Sequence, residues 1–150
     1  MKSSKKITYF FLNGRIKRIT DNKPYPVEMF YGYQYLNKKF VDVSIIEAKP
    51  TVIRNFIQNN IEHRIGHILE IPILFSYFIS FKNYFIMRKR DILIFSNHRA
   101  LISAYPMLVV SKLFKKSYVS IVFFMGILKK FPENIFLYKF KLFFIKNILK

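Results

Sequence analysis

The chain has 150 residues, 52% of them hydrophobic and none of them cysteine, so it is long enough for one domain with a buried core and excludes thiol catalysis and cysteine-bound zinc. Its 26 Lys and Arg against 8 Asp and Glu give a formal net charge of +18, which favours anionic partners such as phosphates or lipid headgroups. The basic residues are scattered and form no recognition motif, which disfavours nucleic acid as the partner. The longest apolar run is shorter than the roughly 20 residues that a membrane span needs.

The first third of the chain predicts a strand, a helix and a second strand. Continuous β-branched and aromatic residues over 7–12 predict a buried strand, and the run over 41–46 predicts another. A polar loop over 13–26 separates the first strand from an amphipathic helix over 27–39, which is indicated by apolar residues at three- and four-residue steps. Glu47 ends the second strand, where an acid holds a ribose hydroxyl in dinucleotide-binding domains, but the glycine fingerprint of those domains is absent.

A helical insert is predicted over about 50–90. Within it, His63, His67 and Glu70 fall on one helix face at a spacing that could hold a metal ion. Arg64 stands where a metalloprotease HExxH motif has its glutamate, so a partly exposed polar helix face is the favoured interpretation and no metal site is expected.

The remaining elements alternate between strands and helices. The pattern predicts a core helix over 71–81, a strand over 91–95, a buried helix over 101–114, a strand over 118–124 and a last helix over 134–150. Such alternation is typical of a three-layer α/β/α domain with a mostly parallel sheet, in the Rossmann-like class.

Polar residues follow the strand over 91–95. Ser96, Asn97, His98 and Arg99 stand at its carboxyl end, which is the edge where ligands bind in open α/β sheets. The next strand ends in Met125 and Gly126, which form a second such edge beside the first.

Several stretches resemble the N-terminal domain of family-four-like GT-B glycosyltransferases. The matching stretches are YFFLNGR over 9–15, EMFYGYQYL over 28–36, DVSIIE over 42–47, and the two later strands with their edges over 91–97 and 119–126. The resemblance spans most of the chain and implies an enzyme that transfers a sugar from a nucleotide-sugar donor to a glycan or lipid-linked acceptor. The transfer takes place in a cleft between two Rossmann-like halves.

By that resemblance, residues 1–150 form the acceptor-side half as one domain, and the donor-binding half is absent. The chain is therefore expected to be inactive alone, to need a separate C-terminal half as partner, and to use no cofactor beyond the donor. The resemblance also implies roles for three groups of residues: Asn13, Gly14 and Arg15 border the acceptor and the donor phosphates, Ser96, Asn97, Arg99, Met125 and Gly126 line the pocket edge, and His98 takes any acid–base role. The alternative for His98 is that it caps the following helix or binds a loop carbonyl.

A second resemblance concerns the same segment. Asn97 and His98, followed by Ser103, resemble the Asn-His-x-x-x-x-Asp block of glycerolipid acyltransferases, in which the histidine is the general base and the aspartate orients it. Ser103 replaces that aspartate, and an uncharged hydroxyl stabilises an imidazolium poorly.

A non-enzymatic alternative is a basic peripheral protein on an anionic membrane. Its contacts would come from the last predicted helix, through Lys139, Lys141, Lys146 and Lys150 together with Phe140, Phe143 and Phe144. The basic N-terminus lacks the long apolar run and cleavage site of a signal peptide, so the chain is expected to be cytoplasmic, with attachment to the inner face of the membrane as an option.

Overall fold

The strongest β-forming runs of the sequence pair into one parallel sheet. The computed structural model describes residues 5–21, 30–36, 41–68, 73–114, 118–122 and Lys139. Its strands are Lys5–Phe11 (β1), Val41–Glu47 (β2), Ile92–Phe95 (β3) and Val119–Val122 (β4), and they lie in the order β2-β1-β3-β4. Every neighbouring pair is parallel, with Phe10 of β1 aligned to Ile46 on one side and to Phe95 on the other.

Helices connect these strands. They are Arg15–Thr20 (α1), Val52–Ile57 (α2), His63–Ile68 (α3), Phe75–Phe78 (α4), Phe81–Arg88 (α5) and His98–Leu113 (α6), with a 3-10 turn at Tyr33–Tyr35 and a π-helical turn at Gln58–Glu62. The longest of them, α6, has 16 residues, which is about 24 Å against the roughly 30 Å of a bilayer core. Within the described part of the chain, no helix is long and apolar enough to cross a membrane.

Both faces of the sheet are covered, which confirms the predicted α/β domain with helices on either side of a parallel sheet. On one face the stacked rings of Phe10 and Phe95, 4.6 Å apart between centroids, pack with Leu101 of α6. On the other face Tyr9 and Ile94 pack beneath α1 and the segment 30–36. Because β1 is buried on both faces, its sequence is a continuous apolar run rather than an alternating one.

The region between β1 and β2 differs from the prediction. Instead of a polar loop, residues after Gly14 form α1, and the predicted helix over 27–39 is wrong where the structure describes it. There the backbone of Tyr31 (φ 51°) and Gly32 (φ 80°) is left-handed, which breaks a helix. The aromatic residues of this segment cover one face of the sheet, so their spacing reflects that packing and not a helical stripe.

The predicted core helix over 71–81 is also wrong. Two short helices replace its described part, because the Ser80 hydroxyl accepts a hydrogen bond from the Asn83 N–H at 3.1 Å and starts α5. Phe78 is fully buried, whereas Phe81, just beyond this break, is 84% exposed. The predicted helix over 134–150 lies outside the described residues apart from Lys139, which is helical.

Candidate functional site

The strand order places a switch point between β1 and β3, and at such a point open α/β sheets have their ligand-binding crevice. From β1 the chain crosses to β2 on one side by way of α1, and from β3 it crosses to β4 on the other side by way of α6. The carboxyl ends of β1 and β3 therefore flank the topological switch point, where open α/β sheets bind ligands. The two ends are adjacent, because the Ser96 N–H after β3 donates to the Phe10 carbonyl of β1 at 3.1 Å.

The loop after β1 brings Asn13, Gly14 and Arg15 to this crevice. Gly14 has a left-handed backbone (φ 86°) and begins α1, so a side chain there would be strained even though the space around it is open. The Ile16 amide in the first turn of α1 is already used, because the carboxylate Oε1 of Glu47 accepts a hydrogen bond from the Ile16 N–H at 2.8 Å. Glu47 thus stabilises the start of α1, and the anion-binding group that this loop offers is the half-buried guanidinium of Arg15.

The loop after β3 leads directly into α6. Asn97 has extended backbone and caps this helix, its side-chain oxygen accepting a hydrogen bond from the Ala100 N–H at 2.9 Å. The helix therefore begins three residues earlier than the predicted residue 101. The alternative in which His98 caps the helix is wrong, since Asn97 has that role and His98 is the first helical residue.

Four buried polar atoms belong to these two loops and to the first turn of α6. Arg15 Nη1, Ser96 Oγ, His98 Nδ1 and Arg99 Nε are each shielded from solvent and have no hydrogen-bond partner within the described part of the chain. A buried polar group left in that condition costs about 1–3 kcal/mol, and native proteins complete such groups with a ligand, an ion or water. Two guanidinium groups with a hydroxyl are donors that suit a phosphate or carboxylate.

His98 is held in its neutral form. Burial lowers the pKa of His98 below its usual 6.5, and the positive charge of Arg99 lowers it further. A neutral imidazole at physiological pH is able to accept a proton from a hydroxyl group.

Ser103 serves the fold and not the imidazole. It is fully buried, and its hydroxyl accepts a hydrogen bond from the Leu74 N–H at 2.9 Å. The described carboxylates have other contacts or positions: Glu47 binds Ile16, Glu62 binds Ser76, Asp42 pairs with Arg90, Asp91 binds Lys6, and Asp21 ends α1. This arrangement gives the acyltransferase resemblance no support.

The sequence also indicated a second strand edge and a set of possible metal ligands. Met125 and Gly126 lie outside the described residues, so the second predicted edge is a prediction still. His63 and His67 are exposed on α3, and Glu70 lies outside the described residues. Within the described segments, no three His, Asp or Glu side chains are arranged to hold a metal ion.

Sequence reasoning identified both loops of the crevice but missed two contacts. The bond between Glu47 and Ile16 and the one between Ser103 and Leu74 join positions 31 and 29 residues apart. No local pattern signals pairs at such separations. Compared with known proteins, the chain matches no family model, and neither a curated protein nor a solved structure is significantly similar to it.

Proposed function

We propose that this chain is the acceptor-side half of a GT-B glycosyltransferase, which transfers a sugar from a nucleotide-sugar donor to a phosphate-bearing glycan or lipid-linked acceptor. The observation that carries the proposal is the set of unpartnered buried groups at the switch point of a Rossmann-like sheet, contributed by Arg15, Ser96, His98 and Arg99. The likeness of the stretches 9–15 and 91–97 to that family supports it further.

In this proposal the two arginines hold the phosphate of the acceptor or donor. Arg15 comes from the loop after β1 and Arg99 from the first turn of α6, so the phosphate would lie over the end of the sheet between α1 and α6. Guanidinium groups bind phosphate through charge-assisted hydrogen bonds, which are about twice as strong as neutral ones. Ser96 adds a neutral hydroxyl donor from the bottom of the crevice, where it is 3% exposed.

His98 is proposed as the group that receives the proton of the acceptor hydroxyl. Its lowered pKa keeps it neutral at physiological pH, as such a role requires. The donor nucleotide would be bound by a second Rossmann-like half, in a further domain or a separate chain.

Binding of small anions tests the crevice itself. Inorganic pyrophosphate and geranyl phosphate are titrated into the 150-residue chain by calorimetry and by amide chemical shifts, at fixed low salt. We expect Arg15→Gln and Arg99→Gln each to raise the Kd at least about tenfold, because each removes a charge-assisted hydrogen bond. Arg64→Gln is the matched control, because Arg64 is exposed on α3, away from the crevice, and its loss should leave the Kd within about twofold. Equal effects of all three substitutions would reduce the binding to general charge attraction and contradict the site.

Sugar transfer tests the reaction class. The chain is assayed with labelled UDP-, GDP- and dTDP-sugars and a prenyl phosphate acceptor, alone and together with any donor-binding domain encoded next to it. We expect transfer only in the combined assay, and a loss of about a hundredfold or more in the rate with His98→Gln. Robust turnover by the 150 residues alone would contradict the half-enzyme proposal.

A further inference from the structure

An apolar surface lies on the first part of the helical insert, which contributes no residue to the crevice. The residues 52–68 form one continuous helix, since Ile57, Gln58 and His63 at the joints between α2, the π-helical turn and α3 all have right-handed helical backbone. Six large apolar side chains of this helix are exposed to solvent: Val52 by 88%, Ile53 by 73%, Phe56 by 65%, Ile61 by 51%, Ile65 by 45% and Ile68 by 69%. Soluble proteins rarely leave such a set uncovered.

Two polar side chains of this helix, those of Arg54 and Glu62, face the protein. The Arg54 guanidinium donates to the carbonyl oxygens of Lys49 and Tyr77 at 3.2 and 3.4 Å. The buried carboxylate of Glu62 accepts hydrogen bonds from the Ser76 N–H at 2.6 Å and from its hydroxyl at 3.0 Å. The side of this helix that faces the protein therefore makes polar contacts, whereas its six large apolar side chains are left to solvent together with polar ones such as Asn59 and His63.

The π-helical turn gathers the apolar residues onto one side. At about 100° per residue, an unbroken α-helix would place Ile61 and Ile65 roughly 180° and 220° from Val52. The wide turn, seen in the bond from the His63 N–H to the Gln58 carbonyl, accommodates about one extra residue and turns the following helix back by about 100°. All six apolar residues then fall within an arc of roughly 120°.

The charges around this surface are of one sign. Lys49 and Arg64 are exposed, and by the same geometry Arg64 falls within the arc, roughly 20° from Val52. The sole acid among residues 48–68 is Glu62, which is 6% exposed and engaged with Ser76. An apolar arc that includes the long basic side chain of Arg64, on a chain of net charge +18, complements a surface that is apolar inside and anionic at its boundary.

We propose that helix 52–68 docks onto an anionic lipid bilayer by its apolar arc, lying in the plane of the membrane with Phe56 among the acyl chains and the long side chain of Arg64 reaching back to the headgroups. This surface is separate from the C-terminal helix that the sequence indicates for membrane contact, and the proposal does not depend on the transferase assignment.

A tryptophan at residue 56 tests the docking directly. The chain contains no tryptophan, so Phe56→Trp introduces a single fluorophore that can be excited apart from the tyrosines. It is mixed with vesicles of phosphatidylcholine containing 25% phosphatidylglycerol, some of them brominated at known acyl positions. We expect a blue shift and quenching by lipids brominated near the headgroup end of the acyl chain. Leu113→Trp, at an equally protruding site on α6 (76% exposed), is the matched control and should show neither.

Insertion of the helix must be distinguished from simple adsorption, because a chain of charge +18 will adsorb to anionic vesicles by charge alone. In sedimentation assays, Phe56→Ser should lower the partition coefficient at least about tenfold, as expected for removing one buried aromatic side chain. Arg64→Gln should lower it roughly fivefold, and the exposed Leu113→Ser should leave it unchanged within about twofold.

Three results would overturn the proposal: no blue shift at residue 56, equal effects of Phe56→Ser and Leu113→Ser, or a concentration-dependent dimer that Phe56→Ser abolishes without any vesicle insertion. The last result would assign the arc to a second copy of the chain. Circular dichroism of each variant checks that the fold is intact, which is expected because every substituted side chain is exposed.

Discussion

The hydroxyl of Ser103 and the backbone N–H of Leu74 are joined by a buried hydrogen bond of 2.9 Å. The bond attaches α6, which carries the candidate site at its start, to the segment that leads into α4. Position 103 is where the acyltransferase motif has its aspartate, so a residue expected to act on His98 instead holds two elements of the fold together.

Ser103→Ala should lower the free energy of unfolding by about 1–3 kcal/mol, because the Leu74 N–H loses its partner in a dry environment. Ser103→Asp should lower it further, since it adds a carboxylate at a fully buried position. Urea unfolding followed by circular dichroism measures both, with the exposed Asn59→Ala as control. A Ser103→Asp variant of normal stability that transfers acyl groups would revive the acyltransferase assignment.

Asn97 allows capping to be separated from ligand binding. Asn97→Ala should destabilise the chain by about 1 kcal/mol through loss of the cap on α6, whereas Asn97→Asp keeps a capping oxygen and should be nearly neutral. The aspartate, however, adds a negative charge beside His98 and Arg99 and should weaken pyrophosphate binding. If Asn97→Asp binds pyrophosphate as well as the wild type does, the phosphate does not lie at this edge.

The pKa of His98 should be below 6.5 when measured by NMR titration of its ring protons, because burial and, to a lesser degree, the charge of Arg99 lower it. Arg99→Gln should raise this pKa without restoring 6.5, since burial is the larger cause. A lowered folded-state pKa means that the unfolded chain binds the proton more readily. The corresponding stability is therefore present above pH 6.5 and is lost as the pH falls through the folded-state pKa.

The loss of stability at low pH gives a second measurement on His98. Between pH 7 and pH 5, His98→Gln should lose less stability than the wild-type chain, with urea midpoints as the readout. Identical pH dependence of the two proteins would show that His98 is not shielded from solvent.

Glu62 fixes helix 52–68 to α4, and its two hydrogen bonds to Ser76 should both matter. Glu62→Ala should cost about 2 kcal/mol or more, and Glu62→Gln about half as much because an acceptor for the Ser76 N–H remains. Hydrogen exchange should accelerate selectively in residues 52–68 of both variants. Uniform acceleration over the whole chain would instead indicate that the helix unfolds together with the sheet.

The strands and the overall class were predictable from the sequence because their signal is local. A strand buried on both faces is apolar almost throughout, so residues 7–11 and 92–95 are conspicuous without any knowledge of their partners. The segment 30–36 was misjudged because aromatic residues that cover a sheet can be spaced like a helical stripe, and the left-handed Tyr31 leaves no sign in the pattern.

The candidate site was predictable only in part. Polar residues after a buried strand indicate a ligand-binding edge, and this located His98 and Arg99. That Glu47 would occupy the Ile16 amide depends on the alignment of β2 with β1, in which Phe11 lies opposite Glu47. Such register is a property of the whole sheet and not of any one segment.

The central position of β1 also sets the order in which the chain can fold. Its neighbours on the two sides lie far along the chain, as the Thr8–Ser44 and Lys6–Asp91 contacts at separations of 36 and 85 residues illustrate. At about 5–20 residues per second of synthesis, β1 waits roughly 4–17 s between its own appearance and that of β3. Throughout that interval β1, whose residues 7–11 are buried in the folded sheet, is without half of its sheet partners. The strand around which the sheet is built therefore keeps one unpaired edge until β3 has been made.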